Sequence, residues 1–407
     1  MTNRKRLITL FLSLANCLAQ APHQIVPAAQ KTTDPVVIPF EMVTRHILIK
    51  VRINNSTPLW FILDTGDKVA IVDIEKARSL GLSLEGTVNV GGAGAGTLKG
   101  SVVRGASLSV VGLDGNTQPV VLAIPLHGLE PRFGHDIDGI IGGDFIKQFV
   151  MEVDYSARVL RFYDKDKYTY SGTGEIIPAH VNAAGHPTIN AEITVSGRPP
   201  IKGTFVIDIG SGASLALHSP LVEKENLLGP SQKTIKAIGG GGAGGKVTGR
   251  AGRIEALKIG NFKIENPLTL FSQDKAGAFA SSEHQGNIGA QILSKFKVIF
   301  DYGRDRMILE PNATLRDLIG PAAAGARFIA DGPDYKTFRV EELLEDSPAT
   351  EAGLQPGDIV VAVDGRPAAE MTLSSLQVLF ERPAPRKLSV RRGEKTLQII
   401  LTPRRLI

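Results

Sequence analysis

Trp60-Phe61-Ile62-Leu63-Asp64-Thr65-Gly66 and Phe205-Val206-Ile207-Asp208-Ile209-Gly210-Ser211 are the two stretches that decide the fold of this chain. Each is an apolar run that delivers an aspartate to a glycine turn. Burying a carboxylate behind a strand is costly unless partners or a shared proton relieve its charge. Two such aspartates, 144 residues apart, predict two half-sites that meet at one catalytic centre.

The sequence around the two aspartates is duplicated. Each aspartate is followed 27 or 31 residues later by a glycine-rich run, at residues 91–96 and 239–245. An apolar segment then ends in glycine 78 or 81 residues after the aspartate, at Gly142 and Gly289. Landmarks in the same order at near-equal spacing indicate an internal repeat.

Alternating apolar residues predict strands before each aspartate, at residues 45–53, 59–63, 188–195 and 204–207. Short helices are predicted after each aspartate, at residues 74–80 and 220–224. The 44 glycines and the lack of long helical patterns favour many short strands joined by tight turns. The sequence therefore predicts a mainly β protein.

The repeated pattern resembles the retropepsin-like branch of the aspartic peptidases over residues 40–312. The resemblance implies two pseudo-symmetric acid-protease β-barrel halves, at residues 38–167 and 172–313, in one chain. It implies a catalytic pair formed by Asp64 and Asp208. It also implies that the active-site turns contain Thr65, Gly66, Gly210 and Ser211. It implies substrate-binding flaps that contain Gly92, Gly94, Gly240 and Gly242.

Two facing carboxylates can hydrolyse a peptide bond without a metal or a cofactor. They cannot both ionise at contact distance, so one keeps a proton while the other activates a water molecule. The glycines let the two turns pack closely because they carry no Cβ atom. We therefore expect an aspartic endopeptidase with a peptide or protein substrate.

Two residues depart from the family pattern. Ile209 replaces a threonine that would hydrogen-bond across to the other turn, as Thr65 can. Asp67 adds a carboxylate, which would raise the pKa values of the pair if it points inward, or would meet Lys68 or solvent if it points outward. These departures leave open a catalytically degenerate peptide-binding scaffold. A dimer in which each chain supplies one half is disfavoured by the duplication.

The residues after 312 resemble a PDZ domain of the bacterial, permuted kind, over residues 325–405. The resemblance rests on Ser347-Pro348-Ala349, on Ala352-Gly353-Leu354-Gln355-Pro356-Gly357-Asp358 and on Asp364-Gly365. It implies capture of an extended peptide tail as an added strand. By position, the capture loop would be formed by Tyr335, Lys336, Thr337 and Phe338.

Other kinds of site are disfavoured by the sequence. The formal charge of +5 falls to +2 without Arg4, Lys5 and Arg6, so the remaining chain lacks the excess of basic residues that is typical of nucleic-acid-binding proteins. The glycine run from Gly240 to Lys246 has the spacing of a phosphate loop, but Val247 replaces the required hydroxyl residue and no helix follows. No second histidine accompanies His135 at the spacing of metal ligands.

The N-terminus has the pattern of a secretory signal peptide over residues 1–21, with a basic start and a short apolar segment. Cleavage after Ala21 or after Ala19 fits the pattern. Cys17 is preceded by Asn16 where a lipoprotein signal has a small residue, so lipid anchoring is disfavoured. We expect a secreted or periplasmic protein whose mature chain has no membrane span.

Overall fold

The computed structural model of the protein describes residues 34–113, 120–237, 240–320 and 322–407. The predicted signal peptide at residues 1–21, with Cys17, lies outside these described residues. Strands dominate the described part, which confirms the predicted mainly β class. None of the helices in the described ranges is long and apolar enough to cross a bilayer.

The first half of the chain is a set of short strands with three short α-helices among its described residues. Its strands are β1 (Val36–Pro39), β2 (Glu41–Val43), β3 (His46–Ile53), β4 (Leu59–Leu63), β5 (Ala70–Asp73), β6 (Ser83–Val90), β7 (Leu98–Arg104), β8 (Leu108–Val110), β9 (Val121–Ile124), β10 (Gly139–Ile141), β11 (Phe149–Asp154) and β12 (Val159–Asp164). Its helices are α1 (Ile74–Ser79), α2 (Glu130–Phe133) and α3 (Gly143–Ile146).

The second half follows the same order with further short strands. Its strands are β13 (Glu175–Val181), β14 (Pro187–Thr194), β15 (Ile201–Asp208), β16 (Leu215–Leu217), β17 (Thr234–Lys236), β18 (Gly241–Gly242), β19 (Gly245–Lys246), β20 (Gly249–Arg253), β21 (Ala256–Ile259), β22 (Phe262–Glu265), β23 (Leu268–Ser272), β24 (Gly286–Gly289), β25 (Phe296–Asp301) and β26 (Arg306–Pro311). Its helices are α4 (Ser219–Lys224) and α5 (Ala290–Leu293).

The C-terminal unit is a separate sheet with its own apolar core. Its strands are β27 (Ala326–Asp331), β28 (Thr337–Leu343), β29 (Ile359–Val363), β30 (Arg366–Pro367), β31 (Arg386–Arg392) and β32 (Lys395–Leu401). Its helices are α6 (Pro348–Glu351) and α7 (Leu373–Leu379). The strand order is β27-β28-β29-β31-β32, with β30 paired to β29, so β27 lies at one edge.

Each half places its aspartate at the end of a strand that pairs in parallel with a later strand. In the first half, β4 pairs with β10, which puts Leu63 opposite Ile141. In the second half, β15 pairs with β24, which puts Asp208 opposite Gly289. These two parallel pairs have the same place in each copy, as the repeated spacing predicts, and they fix where the two aspartate turns begin.

The two halves share a sheet as well as a core. Strand β11 pairs antiparallel with β25, with Met151 opposite Phe300, and the order β1-β12-β11-β25-β26-β13 runs across both halves. One apolar cluster contains buried side chains from each half, such as Phe145 and Phe296. Burying a side chain of this size stabilises the fold by about 1.5 to 3 kcal/mol. The shared sheet therefore holds the halves in a fixed relation.

The predicted short helices are present at matching places. Helix α1 begins after Asp73, whose Oδ1 accepts hydrogen bonds from the N–H groups of Glu75 and Lys76 at 2.9 and 3.0 Å. A carboxylate at this position satisfies N–H groups that have no partner within the helix. Helix α4 begins after His218, whose side chain makes no such cap. The histidine is therefore free to form other contacts.

Candidate active site

The structure brings Asp64 and Asp208 together from the two halves. A Cβ atom built at Gly210 would overlap the carboxyl group of Asp64. A Cβ atom built at Gly66 would lie 3.0 Å from Cγ of Asp208. Each turn glycine thus lies against the aspartate of the other half, and any larger residue would push the carboxyl groups out of place.

The two carboxyl groups accept hydrogen bonds from different partners. Asp64 Oδ1 accepts a hydrogen bond of 2.6 Å from the N–H of Gly66 in its own turn. Asp208 Oδ2 accepts one of 3.0 Å from Nδ2 of Asn287, a residue of β24. The interaction between the two side chains raises the pKa of Asp64 and lowers that of Asp208, so Asp64 is the member of the pair that retains a proton more readily. Both groups are half-buried.

The surroundings favour retention of a proton by this pair. Burial raises the pKa of Asp64 well above its usual range, and the charges of Asp208 and Asp67 raise it further. Burial also raises the pKa of Asp208, against the opposing effect of hydrogen bonds from Asn287 and the turn backbone. Burial and the charge of Asp208 raise the pKa of Asp67 to about 6. Asp67 is therefore near enough to the pair for their charges to act on one another, as the inward alternative requires.

Thr65 joins the two turns, whereas Ile209 does not. The Thr65 hydroxyl donates to the Ile207 carbonyl at 2.7 Å and accepts from the Ile209 N–H at 3.0 Å. Thr65 and Ile209 are both fully buried. Ile209 has no hydroxyl to return these bonds, so half of the reciprocal connection is missing, as the sequence indicates.

The two glycine-rich tips meet each other. Gly96 N–H donates to the Gly244 carbonyl at 2.8 Å, and Gly244 N–H donates to the Ala93 carbonyl at 2.9 Å. Gly94 has a φ of 92°, a left-handed conformation that glycine adopts without strain. The hairpins of β6–β7 and β18–β19 are therefore in contact at their tips.

The individual flap residues have different positions. A Cβ atom at Gly92 would lie 3.3 Å from Cβ of Ala243, and one at Gly242 would lie 3.2 Å from Cβ of Ala93. Gly240 lies at the base of its hairpin, where its carbonyl accepts from Val247 N–H at 3.2 Å. The tips are therefore formed by Gly92, Gly94 and Gly242 rather than by Gly240.

Ser211 is part of the second turn and has no acid–base partner. Its hydroxyl accepts a long hydrogen bond of 3.4 Å from the N–H of Ala213. Its carbonyl accepts from Ala290 N–H at 2.8 Å, which anchors the turn to α5. In the described part of the chain, no hydrogen bond joins Ser211 to a histidine side chain. Ser211 therefore lacks the base that a serine nucleophile needs.

The sequence prediction missed Asn287 and, beyond it, His218. Asn287 lies two residues before Gly289, where the first half has the apolar Ile140 two residues before Gly142. An amide in an otherwise apolar buried strand is the pattern that could have identified it. His218 carries no such pattern, because its ring reaches Asn287 only through the folded arrangement of β16, α4 and β24.

The structure does not place the predicted peptide-capture residues, Tyr335 to Phe338, at an unpaired strand edge. Tyr335 donates to Asp136 at 3.0 Å, Lys336 Nζ donates to the Met371 carbonyl at 2.8 Å, and Phe338 is fully buried. The strand that begins at Thr337 pairs with β27 on one side and β29 on the other, at Phe338. A peptide that adds as a strand needs an unpaired edge, and in the described strand order the two edges are β27 and β32, of which β27 contacts α7.

The first half packs against this edge of the C-terminal unit. Helix α2 contacts β27. A Cβ atom built at Gly134, the residue after α2, would lie 2.9 Å from Cβ of Leu373 and 3.2 Å from Cβ of Ala330. Thr44 N–H donates to Ser374 Oγ at 2.8 Å. The edge strand and α7 are thus in contact with the peptidase-like part of the same chain.

Two protein families match separate parts of the chain. The family described as aspartyl protease matches residues 49–145, and the family described as PDZ domain matches residues 339–392. The first range contains Asp64 and the first flap. The second range contains the Pro-Gly-Asp segment and strands β29, β30 and β31.

Two serine proteases are similar to longer and shorter parts of the chain. The serine protease HTRA1 of Xenopus laevis is 24% identical over 316 residues, which is 71% of this chain and 65% of that protein's length. Human serine protease HTRA3 is 36% identical over 78 residues, which is 18% of this chain and 17% of that protein. The chain thus spans less than two thirds of either relative.

Solved structures also show similarity. The HtrA3 PDZ domain bound to a phage-derived ligand (FGRWV) is 31% identical and covers 20% of this chain and 84% of its own, with a TM-score of 0.19. Basic 7S globulin from soybean is 11% identical and covers 69% of this chain and 95% of its own, with a TM-score of 0.39. By its family matches, the chain contains an aspartyl protease domain in its first half and a PDZ domain at its C-terminal end.

Proposed function

We propose that the protein is an exported aspartic endopeptidase whose catalytic pair is Asp64 and Asp208. The observation that carries the proposal is the meeting of one carboxyl group from each half across the turns of Gly66 and Gly210. Two half-buried carboxyls this close together hold one proton between them, which is the state that acid–base hydrolysis needs. The match to the aspartyl protease family supports the same assignment.

The reaction follows from the charge state of the pair. The ionised carboxylate accepts a proton from a water molecule, whose oxygen then attacks the carbonyl carbon of the scissile peptide bond. The protonated carboxyl donates to the carbonyl oxygen as it gains negative charge. The tetrahedral intermediate breaks its C–N bond when the leaving nitrogen receives a proton from the pair. The flap tips, which are joined by Gly96 and Gly244, would close over the substrate and exclude bulk water.

A serine mechanism is the alternative that the names of the relatives suggest. It requires a hydroxyl group activated by a neighbouring base. Ser211 lies between two glycines, but its hydroxyl contacts only the Ala213 N–H among its described neighbours. The carboxyl pair, by contrast, has its partners in place. The aspartic mechanism is therefore the one that the geometry supports.

The PDZ domain is proposed to bind an extended peptide tail along β27, facing α7. This assignment replaces residues 335–338, and it rests on the free edge of β27 and on the strand-addition mode of PDZ domains. Because α2 and Gly134 contact the same face, a bound tail would compete with the first half for it. The tail can belong to a substrate or to a partner protein.

Export is proposed from the sequence of residues 1–21. The basic start, the short apolar segment and the small residues at Ala19 and Ala21 have the order of a secretory signal. Export would place the peptidase outside the cytoplasm or in the periplasm. Sequencing the N-terminus of the protein recovered from those fractions tests the assignment, and an intact Met1 in the cytoplasm would contradict it.

The proposed activity is tested by incubating the purified protein with a diverse pool of unfolded peptides between pH 3 and pH 8. Mass spectrometry identifies the cleaved bonds. The wild type is compared with Asp64→Asn, Asp208→Asn and Ser211→Ala. We expect cleavage by the wild type and by Ser211→Ala, and none by either aspartate variant. Cleavage that survives loss of an aspartate but not loss of Ser211 would overturn the proposal.

A catalytically degenerate peptide-binding scaffold is the second candidate, and Ile209 is the observation that favours it. The missing hydroxyl leaves the two turns joined from one side only. If the folded wild type cleaves nothing while Ile209→Thr does, the natural chain is the scaffold. Cleavage by the wild type rejects this candidate.

A further inference from the structure

His218 is a buried histidine whose two ring nitrogens both face oxygen atoms. The residue is 3% exposed, and its ring lies 5.4 Å from that of Phe279. Nδ1 lies 3.2 Å from the carbonyl oxygen of Ser281. Nε2 lies 2.9 Å from Oδ1 of Asn287. The ring is thus held at both ends inside the second half.

Asn287 connects this histidine to Asp208. Its Nδ2 donates to Asp208 Oδ2 at 3.0 Å, while its Oδ1 faces the His218 ring. The amide therefore bridges the two groups without any exposed intermediate. The first half has Ile140 in the place of Asn287, so Asp64 has no comparable link.

The hydrogen-bonding capacities of these groups allow two self-consistent states in which the charges of Asp208 and His218 sum to zero. A carbonyl oxygen only accepts, so Nδ1 of His218 must donate to Ser281. In the first state, Asn287 donates to an ionised Asp208 and accepts from Nε2, which makes His218 a doubly protonated cation. In the second state, the amide is turned by 180°, Nε2 of a neutral His218 accepts from Nδ2, and Asp208 is protonated and donates to Oδ1.

A third arrangement leaves an interaction unsatisfied. A neutral ring protonated only at Nε2 could bond to Asn287, but its Nδ1 lone pair would then face the lone pairs of the Ser281 carbonyl. An unmade hydrogen bond of a buried group is costly, of the order of 1 to 3 kcal/mol. The proton on His218 and the charge on Asp208 are therefore linked through one amide.

We propose that His218, acting through Asn287, is a positioning residue that compensates the charge of Asp208: when Asp208 ionises, His218 is the group that holds a proton. The inference rests on the proposed function for its catalytic meaning, because Asp208 is one member of the proposed pair. A buried carboxylate with a cation one amide away ionises more readily than one without it. The first half offers Asp64 no such compensation.

Other ionisable groups around the ring do not replace this link. The pKa of His218 lies below its usual value, chiefly because of burial; contacts with Asn287 and with the backbone of Ser281 and His284 raise it, and the charge of His284 lowers it. His284 itself bonds to Asn182, at 3.1 Å. Asp274, whose carbonyl accepts from Ser219 at the start of α4, directs its Oδ1 to Thr248. Asp208 is thus the acid that reaches the ring through a described hydrogen bond.

The test is the charge state of the His218 ring, followed by ¹⁵N nuclear magnetic resonance of the histidine-labelled full chain from pH 4 to pH 9. His218→Gln identifies the His218 signals by their absence. We expect the His218 pKa to fall by at least about one unit in Asp208→Asn, because the anion that stabilises the cation is gone. Asp67→Asn removes a neighbouring carboxylate that is not part of the hydrogen-bond chain from Asp208 to His218. It should shift the His218 pKa by less than half of the shift seen in Asp208→Asn.

A second variant keeps the test decisive. Asn287→Leu replaces the amide by an apolar side chain like the one in the first half. In that background we expect Asp208→Asn to leave the His218 pKa unchanged within about 0.2 units. An equal His218 titration in the wild type and in Asp208→Asn overturns the link, as does a shift that persists without Asn287. Because the readout needs no proteolysis, loss of cleavage in Asp208→Asn with no change at His218 would retain the peptidase and reject this inference.

Discussion

The two aspartate turns have matching places in the fold but different side-chain surroundings. Asp64 accepts from an N–H of its own turn, whereas Asp208 interacts with its turn backbone and also accepts from the side chain of Asn287, where the first half has the apolar Ile140. The Thr65 side chain forms two hydrogen bonds with the backbone of the other half, but Ile209 has no hydroxyl that could form the equivalent bonds. The difference teaches that the duplicated strands decide where the carboxyls meet, while the divergent residues decide how each carboxyl is charged.

Elsewhere the two halves perform one task with different residues. The Asp138 carboxylate accepts from the N–H of Trp60 at 2.8 Å, and the Gln285 amide oxygen accepts from the N–H of Thr204 at 2.6 Å. Both acceptors brace the strand that leads to the aspartate, four residues before it. A carboxylate and an amide oxygen thus serve equally as acceptors for the strand N–H. Beside the catalytic pair, by contrast, the two halves carry the chemically different residues Ile140 and Asn287.

The largest difference between the halves is expected for the turn glycines. Gly210→Ala would force the Asp64 carboxyl aside, because the new methyl group overlaps it, whereas Gly66→Ala brings a methyl only to 3.0 Å from Asp208. A displacement of about 1 Å can reduce catalysis by about 100-fold. We expect kcat/KM to fall at least about 100-fold in Gly210→Ala and about tenfold in Gly66→Ala. Equal losses would show that the turns are equivalent.

The next largest effect is expected for Thr65, whose hydroxyl joins the two turns, compared with Ile209, which cannot do so. Thr65→Val leaves the buried N–H of Ile209 and carbonyl of Ile207 without their partner, so the free energy of unfolding should fall by about 2 to 4 kcal/mol. The matched change Ile209→Val removes only a methylene and should lower it by about 1 kcal/mol. Urea titration measures both. A loss for Thr65→Val no larger than that for Ile209→Val would contradict the one-sided connection.

The smallest effect on activity is expected for Asp67, which follows Gly66 in the first turn. The second turn has the uncharged Ser211 at the equivalent position after Gly210. Removing its charge lowers the apparent pKa values of the pair, so Asp67→Asn should move the alkaline limb of the pH–kcat/KM profile down by about half a unit to one unit. An unchanged or upward-shifted limb would show that Asp67 does not act on the pair.

Asp67 also has a predictable effect on stability. Its pKa of about 6 lies above the ordinary value of 3.8, so the folded state binds the proton more tightly than the unfolded state. The free energy of unfolding should therefore fall as pH rises from about 4 through 6. Asp67→Asn should reduce this fall, to which the raised pKa values of Asp64 and Asp208 also contribute, and should gain about 1 to 2 kcal/mol at pH 7. Urea titrations at pH 4 and pH 7 measure the difference.

The sequence predicted the duplicated fold and the meeting of Asp64 with Asp208 because strand periodicity and landmark spacing are local patterns. The pairing of β11 with β25 is a contact between the halves that neither copy encodes alone. The link through Asn287 to His218 depends on side-chain directions that exist only after three elements have packed. The peptide-binding edge of the PDZ domain could not be predicted from its motif either, because only the strand order shows that β27 has no strand partner on one side.

The most direct test of the central claim is whether the two halves act as one catalytic unit. The measurement is kcat/KM for the best peptide from the pool, with the wild type, Asp64→Asn, Asp208→Asn and the double variant. Residues that act as a unit give losses that do not multiply. We predict that each single change costs at least about 1,000-fold and that the double change costs no more than the larger single loss. Losses that multiply, or either single variant retaining most of the activity, would contradict a shared pair.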